Sequence, residues 1–184
     1  MADAPLTPDQ LAELCQARTV KVSSAIENDG RPVELAYRVL APAEAKPGTR
    51  YPVVLFLHGA GERGTDNLAQ LKYLPAWLAE PANRAAFPCF VVAPQCRPEK
   101  KWADVDWSSG KSSPQKPAPT LDMLGAIAAL EETLRDAPAD PSRVYLTGLS
   151  MGGYGSWDLA ARMPGRFAAV LPICGGGDEA TAPK

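Results

Sequence analysis

The sequence predicts an α/β fold in which an antiparallel hairpin precedes a mostly parallel sheet flanked by helices. Continuous apolar runs recur at 52–57, 90–93, 144–147 and 168–173, as expected for strands that are covered on both faces. Stretches with helical spacing lie between them, at roughly 67–80, 119–136 and 151–163. This alternation of strands and helices is typical of parallel sheets with right-handed crossovers.

The beginning of the chain has a different pattern. Residues 18–26 and 32–40 partly alternate apolar and polar side chains around the turn Asn28-Asp29-Gly30, which predicts a hairpin of half-buried antiparallel strands. Residues 1–17 are interpreted as a lead-in, either a short polar helix or an unfixed segment, and residues 18–184 as one domain. The polar segment 97–118 is rich in Lys, Ser and Pro and predicts a long loop.

Composition excludes several function classes. A net charge of −2 and a pI near 5.5 argue against nucleic acid or an anionic membrane as a partner. No apolar run approaches the ~20 residues of a membrane span, and the N-terminus lacks the pattern of a signal peptide, so we expect a cytoplasmic protein. The four cysteines form no CxxC pair and have no histidine at metal-ligand spacing, so no metal or cofactor is expected.

The strongest chemical signal is Ser150 in the run Gly148-Leu149-Ser150-Met151-Gly152, which has the G-x-S-x-G pattern of a nucleophile elbow. A predicted strand precedes it and a predicted helix follows it. Gly148 and Gly152 allow a cramped turn, and the Met151 N–H can donate to an oxyanion. The alternative is a glycine-rich turn that carries an incidental serine.

A second glycine-rich loop follows the strand 52–57. Its small residues, Gly59 among them, allow a substrate to approach the backbone, and the Ala60 N–H is our choice for the second oxyanion donor, with Gly61 next. We interpret His58 as a brace that shapes this loop through hydrogen bonds, in preference to a general base. The chain contains one histidine, and His58 precedes Ser150, whereas the base of such an elbow normally follows the serine.

At these motifs the chain resembles α/β-hydrolase esterases that are often labelled predicted peptidases, related to feruloyl-type esterases and polyhydroxybutyrate depolymerases. The resemblance covers about residues 18–178 and is carried by five stretches: 58–67, 93–96, the loop with Trp102 and Asp106-Trp107, 140–145 and 147–155. It implies an α/β-hydrolase fold, a small-molecule ester substrate, Ser150 as nucleophile, and the Ala60 and Met151 amides as the oxyanion hole. It also implies that the loop with Trp102 and Trp107 borders the substrate pocket. We add Tyr154 as a further candidate wall, with ordinary packing as the alternative for all three rings.

In that family the catalytic acid and histidine come later in the chain, after further strands. We therefore expect a fold that is truncated after about the sixth strand, with an exposed sheet edge that favours self-association. Asp178 is a candidate acid, with a solvated loop residue as its alternative. The alternatives to an esterase are a non-catalytic α/β-hydrolase-like binding module, an inactive fragment, or a serine peptidase of the prolyl-oligopeptidase-like type.

Overall fold

A computed structural model of the chain describes residues 6–108 and 111–182. Residues 1–5 of the predicted lead-in, 109–110 of the predicted loop and 183–184 of the predicted domain lie outside the described residues. Six strands lie within the described ranges: β1 (Cys15–Val22), β2 (Val33–Leu40), β3 (Tyr51–Leu57), β4 (Phe90–Pro94), β5 (Ala139–Leu149) and β6 (Ala169–Ile173). They form one sheet in the order β1-β2-β4-β3-β5-β6.

The strand pairing confirms the predicted fold class. β1 and β2 form the antiparallel hairpin, with Cys15 opposite Leu40, and β2 also pairs antiparallel with β4. From β4 onward the sheet is parallel through β3 and β5 to β6. The predicted boundary between residues 17 and 18 falls inside β1, since that strand already begins at Cys15.

Helices cover the two faces of the sheet unequally. They are α1 (Pro8–Leu14), α2 (Leu74–Ala79), α3 (Pro81–Ala86), α4 (Leu121–Asp136) and α5 (Met151–Arg162). α4 and α5 close one face in a core that includes Leu55, Leu130 and Leu159, and α1 and α2 close part of the other around Phe56. Among the described residues, no helix is long and apolar enough to cross a bilayer.

The single helix predicted over 67–80 is wrong, because the structure has separate short elements there. The segment instead forms a 3₁₀ turn at Ala69–Leu71 followed by α2, and α3 begins directly afterwards. Tyr73, with φ 62° and ψ −114°, breaks the helical path between the turn and α2. Pro75 and Pro81 lie in the first turns of α2 and α3, where a missing N–H costs nothing.

β6 lies at the edge of the described sheet, and one of its faces is uncovered. Leu171 is 64% exposed and Ile173 is 45% exposed. Leu171 pairs with Thr147, which in turn pairs with Phe56, so Leu171 lies on the face that α1 and α2 occupy. These helices therefore cover the middle of the sheet and leave the β6 side open.

Candidate active site

Ser150 occupies the sharp turn between β5 and α5. Its backbone has φ 53° and ψ −116°, a region that non-glycine residues rarely adopt. Its N–H donates to the Ile173 carbonyl at 2.8 Å, and the residue is exposed. The turn thus holds the serine side chain at the carboxyl end of the parallel strands, where α/β sheets bind their ligands.

Two glycines make this turn sterically feasible. A Cβ added to Gly148 would lie 2.4 Å from the Gly152 oxygen, and one added to Gly152 would lie 1.8 Å from the Leu57 oxygen. Both separations are far inside van der Waals contact, so only glycine fits at either position. The start of α5 consequently packs directly on the backbone at the end of β3.

The chain after β6 approaches α5 equally closely. A Cβ on Gly175 would lie 2.2 Å from the Gly153 carbonyl carbon, and a Cβ on Gly153 would lie 2.4 Å from the Ile173 oxygen. Sequence reasoning assigned no role to the glycines that follow β6. The signal was available, since three consecutive glycines directly after a buried-type strand indicate close backbone contact.

The His58 ring is fully buried and is bonded through both of its nitrogens. The Cys96 N–H donates to Nε2 at 2.9 Å, so the ring proton lies on Nδ1, which donates to the Gly59 oxygen at 2.6 Å. Burial lowers the pKa of His58 from 6.5 to about 4. The ring is therefore neutral at pH 7 and joins the loop after β3 to the segment after β4.

These hydrogen bonds orient two successive peptide groups in the loop. The Gly59 carbonyl accepts from His58 and from the Glu62 N–H, and the Ala60 carbonyl accepts from Arg63 Nε at 2.9 Å. In a planar trans peptide the N–H points opposite to the carbonyl, so the directions of the Ala60 and Gly61 N–H groups are fixed as well. Within residues 6–108 and 111–182, neither N–H has a hydrogen-bond acceptor.

The loop and the elbow lie side by side because β3 and β5 are adjacent parallel strands. Leu57 at the end of β3 pairs with Gly148 near the end of β5. A Cβ added to Gly59 would lie 3.0 Å from Leu149 Cδ1. The Met151 N–H opens α5, where the first-turn amides have no acceptor within the helix. The structure therefore brings the predicted oxyanion donors and Ser150 to the same edge of the sheet.

Trp102 requires a correction. The prediction placed it beside a substrate pocket, but its side chain is fully buried. Its Nε1–H donates to the His58 oxygen at 2.9 Å, and its ring meets the His58 ring edge-on at 5.1 Å. The absence of a side chain at Gly155 makes room for it, because a Cβ there would lie 2.6 Å from Trp102 Cβ. Trp102 thus packs beneath the loop after β3, which is the ordinary packing that was its alternative.

The Trp107 and Tyr154 rings, by contrast, lie next to each other. Their ring centroids are 6.1 Å apart with an interplanar angle of 44°. They line a cleft of about 250 Å³ that Gly176 also borders. Lys101, which sequence reasoning did not single out, places its ammonium 4.4 Å from the centre of the Trp107 ring.

Asp178 is engaged in backbone contacts. Its Oδ1 accepts from the Ala180 N–H at 3.0 Å and caps the 3₁₀ turn Glu179–Thr181. Its Oδ2 accepts from the Gln115 N–H at 2.9 Å. The carboxylate thus ties the chain after β6 to the long loop, which differs from the solvated loop residue that was its alternative.

A polar cluster around the buried Gln95 side chain holds the remainder of the loop after β3. Gln95 Nε2 donates to Asp66 Oδ1 at 2.6 Å, and Gln95 Oε1 accepts from the Asn67 N–H at 2.7 Å. The hydrogen bond from Gln95 is the main reason that the pKa of Asp66 lies below its usual value. No group of three or more metal-ligating side chains occurs in the described part of the chain.

The six-stranded sheet and its strand–turn–helix elbow define a protein of the α/β-hydrolase class. A family described as "Putative esterase" matches residues 32–175. The chain belongs to this family.

Comparison with known proteins agrees with this assignment. A thermostable esterase of known structure superposes with a TM-score of 0.80 and 38% identity, over 94% of this chain and 44% of that esterase. Poly(3-hydroxyalkanoate) depolymerase C of Paucimonas lemoignei is 54% identical over 37 residues, which are 20% of this chain and 9% of the depolymerase. This chain therefore spans less than half the length of either relative.

More distant structures share the fold alone. S-formylglutathione hydrolases from Staphylococcus aureus and Agrobacterium tumefaciens superpose with TM-scores of 0.56 and 0.52 at 13% and 18% identity. The superpositions cover 88% and 91% of this chain, and 58% and 59% of those proteins.

Proposed function

We propose that the protein is a serine hydrolase that cleaves carboxylic esters through an acyl-enzyme on Ser150. The observation that carries this proposal is the left-handed backbone of Ser150, at φ 53°, beside a loop with two oriented amides. A strained non-glycine residue persists only where its surroundings over-determine it, and such residues cluster at functional sites. Membership of the esterase family supports the same reaction class.

In the proposed reaction, Ser150 Oγ attacks the ester carbonyl carbon while the π electrons of the carbonyl move onto its oxygen. The N–H groups of Ala60 and Met151 donate to that oxyanion, with Gly61 as the next candidate. Collapse of the intermediate breaks the carbon–oxygen bond to the leaving group, which departs as the alcohol after taking up the proton lost by Ser150. Water then attacks the acyl-enzyme carbonyl, releases the carboxylic acid and returns a proton to Ser150 Oγ.

Proton transfer from Ser150 needs a base that His58 does not supply. Both nitrogens of the His58 ring are bonded within the fold, and its pKa lies near 4. Because His58 is the one histidine in the 184 residues, we propose that the base is a histidine outside this stretch of sequence. Without a base the serine hydroxyl stays protonated and reacts slowly.

A fluorophosphonate probe tests the nucleophile in the chain as it stands. We expect intact-mass spectrometry to find slow single labelling at Ser150, accelerated by added imidazole acting as an external base. Ser150→Ala abolishes the labelling, whereas Ser23→Ala, at another exposed serine, leaves it unchanged. A wild-type chain that stays unlabelled in imidazole would favour the non-catalytic binding module.

The preference for esters over peptides needs a separate comparison. A nitrophenyl ester and a nitroanilide with the same acyl group differ only in the leaving group, which is a phenol in the ester and an aniline in the anilide. We expect the ester alone to leave an acyl group on Ser150, detectable as a mass increase of the chain. Equal acylation by the anilide would support the peptidase alternative.

A further inference from the structure

We infer that Glu62 is a positioning residue for the base that acts on Ser150, an inference that rests on the proposed role of that serine. Its carboxylate accepts one ring N–H of an imidazole whose other nitrogen takes the Ser150 proton. The observation that leads to this assignment is a buried carboxylate, without a partner in the described fold, at the edge of the elbow.

Glu62 lies in the loop that carries the predicted oxyanion donors. It ends the 3₁₀ turn Ala60–Glu62 and is 6% exposed. Its N–H donates to the Gly59 oxygen at 3.2 Å, and its own carbonyl accepts from Gln95 Nε2 at 3.3 Å. Both peptide groups of Glu62 are therefore held, which fixes the direction in which its side chain leaves the backbone.

The carboxylate of Glu62 has no hydrogen-bond or ion-pair partner in the part of the chain that the structure describes. The neighbouring cation does not pair with it, since Arg63 donates to the Ala60 and Lys100 oxygens. Asp178, by contrast, accepts from two backbone amides. Buried carboxylates are normally paired, because removing a charge from water is costly. The Glu62 carboxylate therefore points to a donor that is supplied from elsewhere.

Gly59 gives the carboxylate its place beside the elbow. A Cβ added to Gly59 would lie 3.0 Å from Glu62 Oε2 and also 3.0 Å from Leu149 Cδ1, with the Leu149 oxygen at 3.6 Å. The carboxylate and Leu149 therefore converge on the same side of Gly59. Because Leu149 directly precedes Ser150, the carboxylate lies next to the turn that holds the nucleophile.

An imidazole base suits this arrangement of a serine and a carboxylate. Its two ring nitrogens can bond oxygens that are roughly 7 Å apart. One nitrogen takes the proton of Ser150 Oγ, while the N–H on the other side donates to Glu62. The ring becomes positively charged only as the serine attacks, so the carboxylate stabilises the transition state more than the ground state.

Imidazole and N-methylimidazole test the inference, because they are bases of similar strength and only imidazole offers an N–H while its other nitrogen acts as the base. Each is added to the chain together with the fluorophosphonate probe. Ser150 Oγ then bonds to phosphorus, fluoride leaves, and the serine proton passes to the free ring nitrogen. We expect imidazole to accelerate the labelling about tenfold more than N-methylimidazole does.

Substitutions at Glu62 separate orientation of the base from support of the loop. We expect Glu62→Gln, which keeps a weaker acceptor, to reduce the preference for imidazole to about threefold, and Glu62→Leu to abolish it. Glu44→Gln makes the same change of charge at an exposed residue before β3, at the other end of that strand from the elbow, and retains the preference. The ratio of the two rates cancels any general loss of reactivity at Ser150.

Urea unfolding provides a second readout that does not depend on labelling. Glu62→Gln removes a buried charge without a partner, so we expect its midpoint to equal or exceed that of the wild-type chain. A carboxylate that serves the fold alone would give a lower midpoint in this variant. Glu62→Gln also remains informative if Glu62→Leu fails to fold.

Equal acceleration by the two bases in the wild-type chain would overturn the inference, as would a preference for imidazole that survives both substitutions of Glu62. Labelling of Ser150 without that preference would refute the role of Glu62 alone. A chain that neither base brings to react would refute the nucleophile, and with it the role assigned to Glu62.

Discussion

His58 illustrates how much a single buried side chain determines around the site. Its position after a strand suggested a brace, and the structure shows both ring nitrogens bonded to backbone groups of two different loops. The sequence could not indicate the second partner, because Cys96 is brought to the ring only by the pairing of β3 with β4. Local pattern thus predicted the kind of interaction, and tertiary structure supplied the partner.

The pKa of His58 predicts a pH dependence of stability. A folded pKa near 4 against an ordinary 6.5 means that the unfolded chain binds more protons between these values, so the free energy of unfolding falls as pH drops through this window. We expect a loss of about 2 kcal/mol between pH 7 and pH 5, measured by urea unfolding. His58→Asn, which removes the one histidine, should show a much flatter profile over the same range. An equal slope in wild type and variant would contradict the prediction.

At the scale of elements, the contact between α5 and β3 depends on a short sequence pattern, the two glycines that flank Ser150. The spacing of Gly148 and Gly152 around a serine predicts a tight turn from the sequence alone, and the structure supplies the reason in the adjacent backbone of Leu57. The segment 67–80 shows the opposite case. Its periodicity predicts one helix, but Tyr73 adopts φ 62° between a 3₁₀ turn and α2. Pro75 was the local signal of that break, because a proline inside a helical pattern marks a helix boundary.

Gly152→Ala tests the contact between α5 and β3. The added Cβ would lie 1.8 Å from the Leu57 oxygen, so the helix or the strand must shift, and we expect a loss of about 3 kcal/mol in the free energy of unfolding. Gly61→Ala is the matched control, because its Cβ would meet nothing within 4 Å. Urea unfolding of both variants gives the comparison. Similar midpoints for the two would contradict the packing described for the elbow.

Across the whole molecule, the sequence predicted the order and type of the six strands better than the burial of individual aromatic residues. Apolar runs and turn residues are patterns within short stretches of sequence, so the alternation of strands and helices could be predicted from them. Trp102 was misplaced because its burial depends on the missing side chain of Gly155, which lies more than fifty residues later in the sequence. The exposure of β6 likewise depends on tertiary packing, because α1 and α2 cover only the middle of that face of the sheet.

That uncovered face leads us to propose self-association. Leu171 and Ile173 are exposed on an edge strand, an arrangement that promotes pairing between chains. We expect sedimentation velocity to show concentration-dependent oligomers that Leu171→Lys suppresses. Ile26→Lys, at an apolar residue that is 71% exposed but lies before β2, should leave the oligomers unchanged. A wild-type chain that sediments as a monomer at all concentrations would contradict the proposal.

The bonds of His58 and Arg63 to consecutive carbonyls have a consequence for the energetics of the loop. Water must reorient its dipoles to stabilise a new charge, and that reorganisation costs free energy. Here the peptide dipoles at Ala60 and Gly61 are already aligned by contacts inside the protein. The free-energy cost of aligning them arises once, during folding. In the reaction that we propose for Ser150, the loop would therefore stabilise the new negative charge without that reorganisation.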